Sequence, residues 1–296
     1  MKNFVTTIFF ICFMALPPAC AAPQRIVSFS PVGTEILFAL GQKERIAAVT
    51  DFCDYPPEAL KKPKVGGFAS INYEMLILMK ADLVVLQDMH SQLVPQLKSL
   101  KIPYVILKQE SIEGICKSIT ELGRICGSEA IAERMVKNIL SEVGSLRAKV
   151  KGKARPSVMV CVSRELSEPV ISTIYIAGQN NFYNELIDIA GGVNVSKERR
   201  IAYRQVSPDG ISKMNPNIII DLVGDKSYYH SKDKIDLETI FSTKYLKNQW
   251  MRSVSADAVK RGRIAVMNGT VYLRPGPRVG EVLRSFAEAI HPEIKR

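Results

Sequence analysis

The stretch Gly127–Lys153, GSEAIAERMVKNILSEVGSLRAKVKGK, decides how the rest of the chain is organised. Ser128 suits the N-cap of a helix, and Glu129 follows in the first turn, where a negative charge favours the helix dipole. Gly152 and Pro156 mark the other end. The apolar residues between them recur every three or four positions: Ile131, Met135, Ile139, Val143, Leu146 and Val150. This spacing predicts one long amphipathic helix.

The length of this helix matters as much as its pattern. About 22 residues of α-helix span roughly 33 Å, which is the width of a small domain. Strand and helix patterns occur on both sides of the stretch. We interpret it as a rigid linker helix that joins two lobes, and the alternative is a long surface helix inside one domain.

On either side of the linker, short apolar strands alternate with helices, as in Arg25–Ser30 and the helix that Pro31 opens. Such alternation predicts an α/β fold, with a mostly parallel sheet flanked by helices in each lobe. The predicted boundaries are residues 1–21 for a signal peptide, 22–126 for the N-terminal lobe, 127–153 for the linker helix and 154–296 for the C-terminal lobe.

A different pattern stands near the C-terminus. Ile264–Met267 and Thr270–Leu273 are two short apolar runs that flank the dipeptide Asn268-Gly269. Asn-Gly between two such runs is typical of a β-hairpin closed by a type I′ turn. We therefore predict a hairpin here.

The first 21 residues have the pattern of a secretory signal peptide. Lys2 supplies a positive start, an uncharged apolar run covers Phe4–Leu16, and Ala19-Cys20-Ala21 has the small-x-small cleavage pattern. The apolar run is short for a membrane span. We expect an exported protein, periplasmic or otherwise, that begins near Ala22.

Cys20 raises the alternative of a lipid anchor, but Pro17 stands where lipoproteins usually carry Leu, so simple cleavage is the expectation. The formal net charge is +11, yet the basic residues are scattered, without a long block or a nucleic-acid-binding motif. We interpret the charge as a solvated surface and expect no nucleic-acid partner.

Patterns for catalysis or metal binding are scarce. His90, His230 and His291 lie outside metal-ligand spacing of one another and of any cysteine. The sequence contains neither a Gly-x-Ser-x-Gly motif nor a P-loop. We predict no catalytic residue, no metal site and no cofactor. Cys116 and Cys126 fall on one predicted helix about 15 Å apart, too far to bridge each other, and the pairing of Cys53 and Cys161 stays open.

One internal repeat supports two lobes of related design. Asn72–Leu86 aligns without gaps on Ser207–Asp221, at an offset of 135 residues. Each copy begins with an N-cap residue, carries an acid two positions later (Glu74 or Asp209), and continues as a short helix and an apolar strand. Acids in a first helical turn commonly serve only the helix dipole. Their matched placement suggests instead that they grip basic groups on a partner.

Four aromatic residues fall in loops or at strand ends, where ligand sites of α/β proteins form. Phe52 and Phe68 come from the first half of the chain, and Tyr175 and Tyr203 from the second. Converging from two lobes, they would suit a large, planar, partly apolar ligand. The alternative is that each fills the core of its own lobe.

Several motifs together resemble one family. They are RIVSFSPVGTEILFALG at 25–41, DFCDYPPEALKKPKVGGFASINYE at 51–74, KADLVV at 80–85, the glycine pair at 191–192 and YLRPGPRVGE at 272–281. They are similar to the periplasmic binding proteins of ABC importers for vitamin B12 and ferric siderophores, most closely to the B12-binding members. The likeness covers essentially the whole chain after the signal peptide.

The resemblance implies two lobes on a helical linker with limited hinge motion, and it assigns roles to residues. Phe52, Phe68, Tyr175 and Tyr203 match ligand-facing aromatics, although Phe68 and Tyr203 replace tryptophans. Glu74 matches a glutamate that docks the permease, and Asp209 stands where the family usually has the second one. Arg278, with Arg274, either contacts an anionic group of the ligand or braces its own loop.

The function implied is capture of a corrinoid and delivery to an inner-membrane ABC importer, by a monomer that performs no reaction. Within the same class, a ferric siderophore or haem is the alternative ligand. A zinc or manganese carrier is not expected, since such sites usually gather several histidines. An exported α/β enzyme and an envelope-organising or adhesion protein are the alternatives from other classes.

Overall fold

The computed structural model describes residues 22–67, 72–225 and 236–295. The predicted signal peptide with Cys20, the aromatic Phe68 and His230 lie outside these ranges. The described residues form two sheets, one of four strands and one of six, with the long helix between them in the sequence. The two-lobed α/β fold predicted from the sequence is therefore present.

The first sheet is parallel throughout. Its order is β2–β1–β3–β4, with β1 at Ile26–Ser28, β2 at Ile46–Val49, β3 at Leu83–Gln87 and β4 at Tyr104–Leu107. The helices of this lobe are α1 (Pro31–Ala39), α2 (Tyr73–Leu78), α3 (Val94–Ser99) and α4 (Ile112–Cys126). Side chains alternate along a strand, so Val84 and Leu86 pack with Leu76 of α2, whereas Val85 packs with Ile36 of α1. Both faces of the sheet are thereby covered.

The second sheet is mixed. Its order is β10–β9–β5–β6–β8, with β5 at Ser157–Arg164, β6 at Ile174–Ala177, β8 at Tyr203–Val206, β9 at Ile218–Val223 and β10 at Ile264–Asn268, while β7 (Val193–Asn194) pairs with β5. The strands β7, β9 and β10 are parallel to their neighbours, but β6 and β8 are antiparallel. The expectation of a mostly parallel sheet is thus only partly met here. The connection from β5 to β6 contains no helix, and without a crossover the chain returns antiparallel.

The second lobe contributes further α-helices within the described residues. They are α6 (Phe182–Ile189), α7 (Pro208–Met214), α8 (Leu237–Ile240), α9 (Thr243–Ser253), α10 (Asp257–Lys260) and α11 (Val279–Ile290). Both copies of the predicted repeat are capped as expected: Asn72 Oδ1 accepts from Met75 N at 3.0 Å, and Ser207 Oγ accepts from Gly210 N at 3.2 Å.

The linker is α5, a helix of 22 residues from Glu129 to Val150. It packs against α4 of the first lobe and α11 of the second. A single apolar cluster runs from α4 through Ile139 and Leu146 of α5 to Leu283 and Phe286 of α11. Ser128 occupies the N-cap, but its hydroxyl accepts a hydrogen bond from Gln42 Nε2 at 2.7 Å instead of capping the helix.

The predicted hairpin at Asn268-Gly269 is wrong. Residue 268 ends β10, Gly269 has φ +128°, and Thr270–Leu273 form a short 3₁₀ helix. A type I′ turn needs positive φ at both central residues, and Asn268 does not have it. The chain instead crosses towards the first lobe, where Arg274 and Arg278 meet carboxylates.

Candidate functional site: a cleft between the lobes

Two adjoining cavities lie between the lobes. The first has a volume of about 500 Å³ and the second about 310 Å³. Gln87, Gln109 and Pro275 line both of them, so the cavities are two compartments of one cleft. A cleft of this kind, lined by both lobes, is the natural place for a ligand in a two-lobed protein.

Strand ends build the walls of the first cavity. Gln87 ends β3, Arg164 ends β5, and Val223 ends β9, and all three line it. Ligands of α/β proteins commonly bind at the carboxyl ends of strands, because the backbone there leaves a crevice between diverging connections. The remaining lining is mostly apolar, with Val32, Val162, Leu166, Leu222 and Leu273 among its residues.

Two of the predicted aromatics lie in this cleft. Phe52 lines the first cavity and Tyr203 lines the second. The loop of Phe52 is anchored by its neighbour Cys53, whose buried sulfur lies 3.2 Å from the hydroxyls of Thr34 and Thr50. Burial also raises the pKa of the Cys53 thiol.

Tyr175 lies near the cleft without lining either cavity. In the register of β6 and β8, Tyr175 is opposite Gln205 and Ala177 is opposite Tyr203, so the two tyrosines share one face of the sheet. They are 41% and 50% exposed, respectively. Tyr175 therefore forms an aromatic surface beside the second cavity, and Phe68 lies outside the described residues.

Arg278 is engaged inside the protein. Its Nε and Nη2 atoms donate to the two carboxylate oxygens of Glu35, both at 2.8 Å, and its guanidinium lies 3.7 Å above the ring of Tyr55. It lines neither cavity. Its role as a ligand residue stays a prediction.

Arg274 links the lobes beside Phe52. It pairs with Asp54, lies 3.6 Å from a Glu35 oxygen, and donates from Nη2 to the carbonyl oxygen of Phe52 at 2.9 Å. Together, Arg274, Arg278, Glu35 and Asp54 form an ion-pair network that we call the interlobe clasp. Glu35 could have been suspected from the sequence, since a carboxylate within the apolar helix PVGTEILFA requires a cationic partner.

A second buried network lies within the second lobe, and no motif in the sequence predicted it. Arg164 Nη2 donates to Asp221 Oδ2 at 2.8 Å, Trp250 Nε1 donates to the same oxygen at 2.8 Å, and Arg164 Nη1 donates to Gln249 Oε1 at 2.7 Å. We call these four residues the lobe-core network. Asp221, the single acid in the apolar strand β9, was the available signal.

Acidic side chains border the second cavity. Asp88 and Glu110 line it, and Lys108 Nζ lies 2.8 Å from Asp88. A hydrogen bond with Glu110, followed by the effect of Lys108, keeps the pKa of Asp88 below its ordinary value. The same hydrogen bond, together with partial burial, raises the pKa of Glu110.

The two predicted docking acids are placed away from the cleft. Glu74 is the second residue of α2 and Asp209 the second residue of α7. Both are exposed, and neither lines a cavity. This position leaves both carboxylates available to a partner.

Other chemistry is sparse in the part of the chain that the structure describes. Cys53, Cys116, Cys126 and Cys161 are buried and free. Across residues 22–67, 72–225 and 236–295, no group of three or more His, Cys, Asp or Glu side chains is arranged to hold a metal ion. Within the same ranges, every helix is too short or too polar to span a bilayer.

Comparison with known proteins agrees with this architecture. Residues 26–268 match the family described as periplasmic binding protein, and the chain belongs to this family. The predictions of family, two-lobed α/β fold and export are therefore confirmed.

Individual relatives are similar over most of their length. An uncharacterised ABC transporter substrate-binding lipoprotein, YvrC of Bacillus subtilis, is 28% identical over 92% of this chain and 81% of its own. The vitamin B12-binding protein of Pectobacterium carotovorum is 27% identical over 71% of this chain and 77% of its own. Among solved structures, a possible iron-binding periplasmic protein of Staphylococcus epidermidis has a TM-score of 0.71 and 26% identity, covering 90% of this chain and 98% of that one.

Proposed function

We propose that this protein captures a corrinoid, a ligand of the vitamin B12 type, between its lobes and delivers it to an ABC importer of the inner membrane. The observation that carries the proposal is the apolar cleft shared by the two lobes, with Phe52 in one compartment and Tyr203 in the other. The relatives named for B12 binding and for ABC transport support it.

Binding in this cleft needs no chemical step. Apolar side chains and two aromatic residues give up contact with water when a large ring system enters, which is the main source of affinity in such sites. The polar groups of the lining then fix the orientation of the ligand. We accordingly assign the protein a carrier role and no reaction.

Delivery requires recognition by the membrane component. Glu74 and Asp209 hold equivalent positions at the starts of α2 and α7 and face solvent. Exposed carboxylates can accept bidentate hydrogen bonds from arginines of a partner. We propose that these two acids dock the protein, as a monomer, on the permease.

Iron-containing ligands are the second candidate, and one residue of the cleft offers an oxygen that could coordinate iron. Tyr203 lines the second cavity, and a tyrosine oxygen can coordinate ferric haem iron. Burial raises the pKa of Tyr203, which opposes the phenolate form that such coordination uses. The resemblance to a possible iron-binding protein supports this candidate at the level of the class.

Visible spectroscopy separates the candidates. The purified protein is mixed with cyanocobalamin, dicyanocobinamide, hemin or ferrichrome and then desalted. We expect a retained corrinoid spectrum at one ligand per protein. Retention of hemin or ferrichrome with loss of both corrinoids would overturn the proposal.

A pair of variants tests whether the ligand sits in the cleft. Phe52→Leu should weaken corrinoid binding about tenfold, because it removes an aromatic surface from the first cavity. Phe38→Leu is the matched control, since Phe38 packs against the core and lines neither cavity. Equal affinities of the two variants would place the ligand elsewhere.

A further inference from the structure

The wall shared by the two compartments carries two carboxamides. Gln87 ends β3, and Gln109 follows β4 by two residues, so adjacent parallel strands deliver both side chains to the same edge of the first sheet. Both line both cavities. A polar group in this position meets a ligand whichever compartment the ligand fills.

One buried hydroxyl, which also caps α1 by accepting from Gly33 N, lies against both amides. Ser30 Oγ accepts from Gln87 Nε2 at 2.9 Å and lies 3.5 Å from Gln109 Nε2. The side chain of Gln87 also accepts from the backbone N–H of His90, which fixes the orientation of its amide. Within the described residues, Gln87 thus keeps one N–H and Gln109 keeps its carbonyl oxygen for another partner.

The charges around the cleft are already balanced or negative. Among the described residues, the cations that line it are Arg164, paired with Asp221, and Arg274, paired with Asp54. The second compartment adds the carboxyl groups of Asp88, which pairs with Lys108, and of Glu110. A ligand that carries carboxylates would meet acids here and cations that already have partners, which is unfavourable.

We propose that Gln87 and Gln109 form a subsite for a primary carboxamide on the rim of the ligand, and that the cleft selects amide-fringed rings over carboxylate-fringed ones. A donor next to an acceptor complements a primary amide, which offers one carbonyl oxygen and two N–H groups. The inference rests on the proposed function, because corrinoids of the B12 type carry such amides, whereas haem carries carboxylates.

The selection can be measured with two probes that share one ring. Dicyanocobinamide bears amides around the corrin, and dicyanocobyrinic acid bears carboxylates at the same positions. The formal net charge of +11 would by itself attract the acid, so titrations are made in about 0.5 M salt, where long-range charge effects are screened. We expect the amide probe to bind at least tenfold more tightly.

Variants assign the selection to the glutamines. Gln87 also hydrogen-bonds to Ser30 and to the backbone of His90, so its replacement could destabilise the protein. The test therefore uses variants of Gln109. Gln109→Glu should weaken binding of the amide probe about tenfold, and Gln109→Lys should shift the preference towards the acid. Gln96→Glu, an exposed site on α3, is the matched control and should change neither. Melting curves confirm that each variant is folded.

The outcomes distinguish this inference from the proposal beneath it. Equal affinity of the wild-type protein for both probes, or a Gln109→Glu variant that binds like Gln96→Glu, would overturn the amide subsite while leaving a corrinoid carrier. Binding of neither probe would overturn both.

Discussion

The two arginine networks use the same chemistry in different surroundings. In the lobe-core network, Arg164 and Asp221 are within one lobe, and their side chains are 1% and 0% exposed. In the interlobe clasp, Arg274 and Asp54 come from different lobes and are 10% and 25% exposed. A dry ion pair cannot lose one partner without leaving a buried charge, whereas a partly hydrated pair can be replaced by water. We therefore expect the first network to govern folding and the second to govern lobe geometry.

The largest effect is expected from Asp221→Ala. It leaves the buried guanidinium of Arg164 without its carboxylate and should lower the free energy of unfolding by about 3–5 kcal/mol. Urea denaturation measures this loss. Asp188→Ala is the control, since Asp188 pairs with Arg155 at the surface and should cost less than about 1 kcal/mol. Equal costs would show that burial makes no difference between the pairs.

Arg274→Gln should have a smaller effect on stability and a clear one on binding. The variant removes hydrogen bonds to Phe52 and Asp54, worth about 1–3 kcal/mol of unfolding free energy, and it frees the loop that carries Phe52. We expect faster ligand dissociation and a wider distribution of interlobe distances in spin-label measurements. Arg155→Gln serves as the surface control. Unchanged dissociation and unchanged distances would make the clasp a local brace only.

Alkaline pH probes the core of the second lobe through Cys161. Burial, and then the charge of Asp221, raises the pKa of the Cys161 thiol well above its ordinary value of about 9.0. The unfolded chain therefore loses this proton before the folded protein does. The stability that Cys161 contributes is fully present below about pH 9 and is lost as the pH rises further. Urea midpoints between pH 7 and 10.5 should fall less in Cys161→Ala than in the wild-type protein. Parallel pH curves of the urea midpoint for the two proteins would contradict a raised pKa of Cys161.

The smallest effect on stability is expected at the docking acids, which belong to neither network. Glu74→Ala combined with Asp209→Ala should change the unfolding free energy by well under about 1 kcal/mol per site and leave ligand affinity nearly unchanged. Permease binding and uptake should be lost, and charge reversal to Lys should be more severe. Wild-type transport by the double variant would remove the docking proposal.

Local sequence patterns predicted the linker helix and the capped helix–strand units of both lobes well. The linker helix was evident because its apolar period continues over 22 residues, so no distant contact was needed to define it. The capped units at Asn72 and Ser207 were evident for the same reason. Features that depend on distant partners were not predicted. The antiparallel β6 and β8 were missed, and the hairpin at Asn268 was wrong, because their pairing is settled by the second sheet as a whole.

In the cleft, too, features set by local sequence could be predicted and features set by distant partners could not. Phe52 and Tyr203 could be proposed from their positions at loops and strand ends, and both line a cavity. The partner of Arg278 could not be predicted from the sequence, because Glu35 is 243 residues away in the chain. Gln87 and Gln109 gave no signal, since isolated glutamines are ordinary surface residues until the fold places them on one wall.

The apolar cluster that passes through α5 has a consequence for how the protein melts. Ile139 and Leu146 join the core of the first lobe to Leu283 and Phe286 of the second. Neither lobe can therefore unfold without exposing apolar core residues of the other to water. Calorimetry should show a single cooperative transition whose van't Hoff and calorimetric enthalpies agree. A truncated chain ending at residue 150 would expose the α11-facing stripe of its last helix and should associate with itself at low concentration.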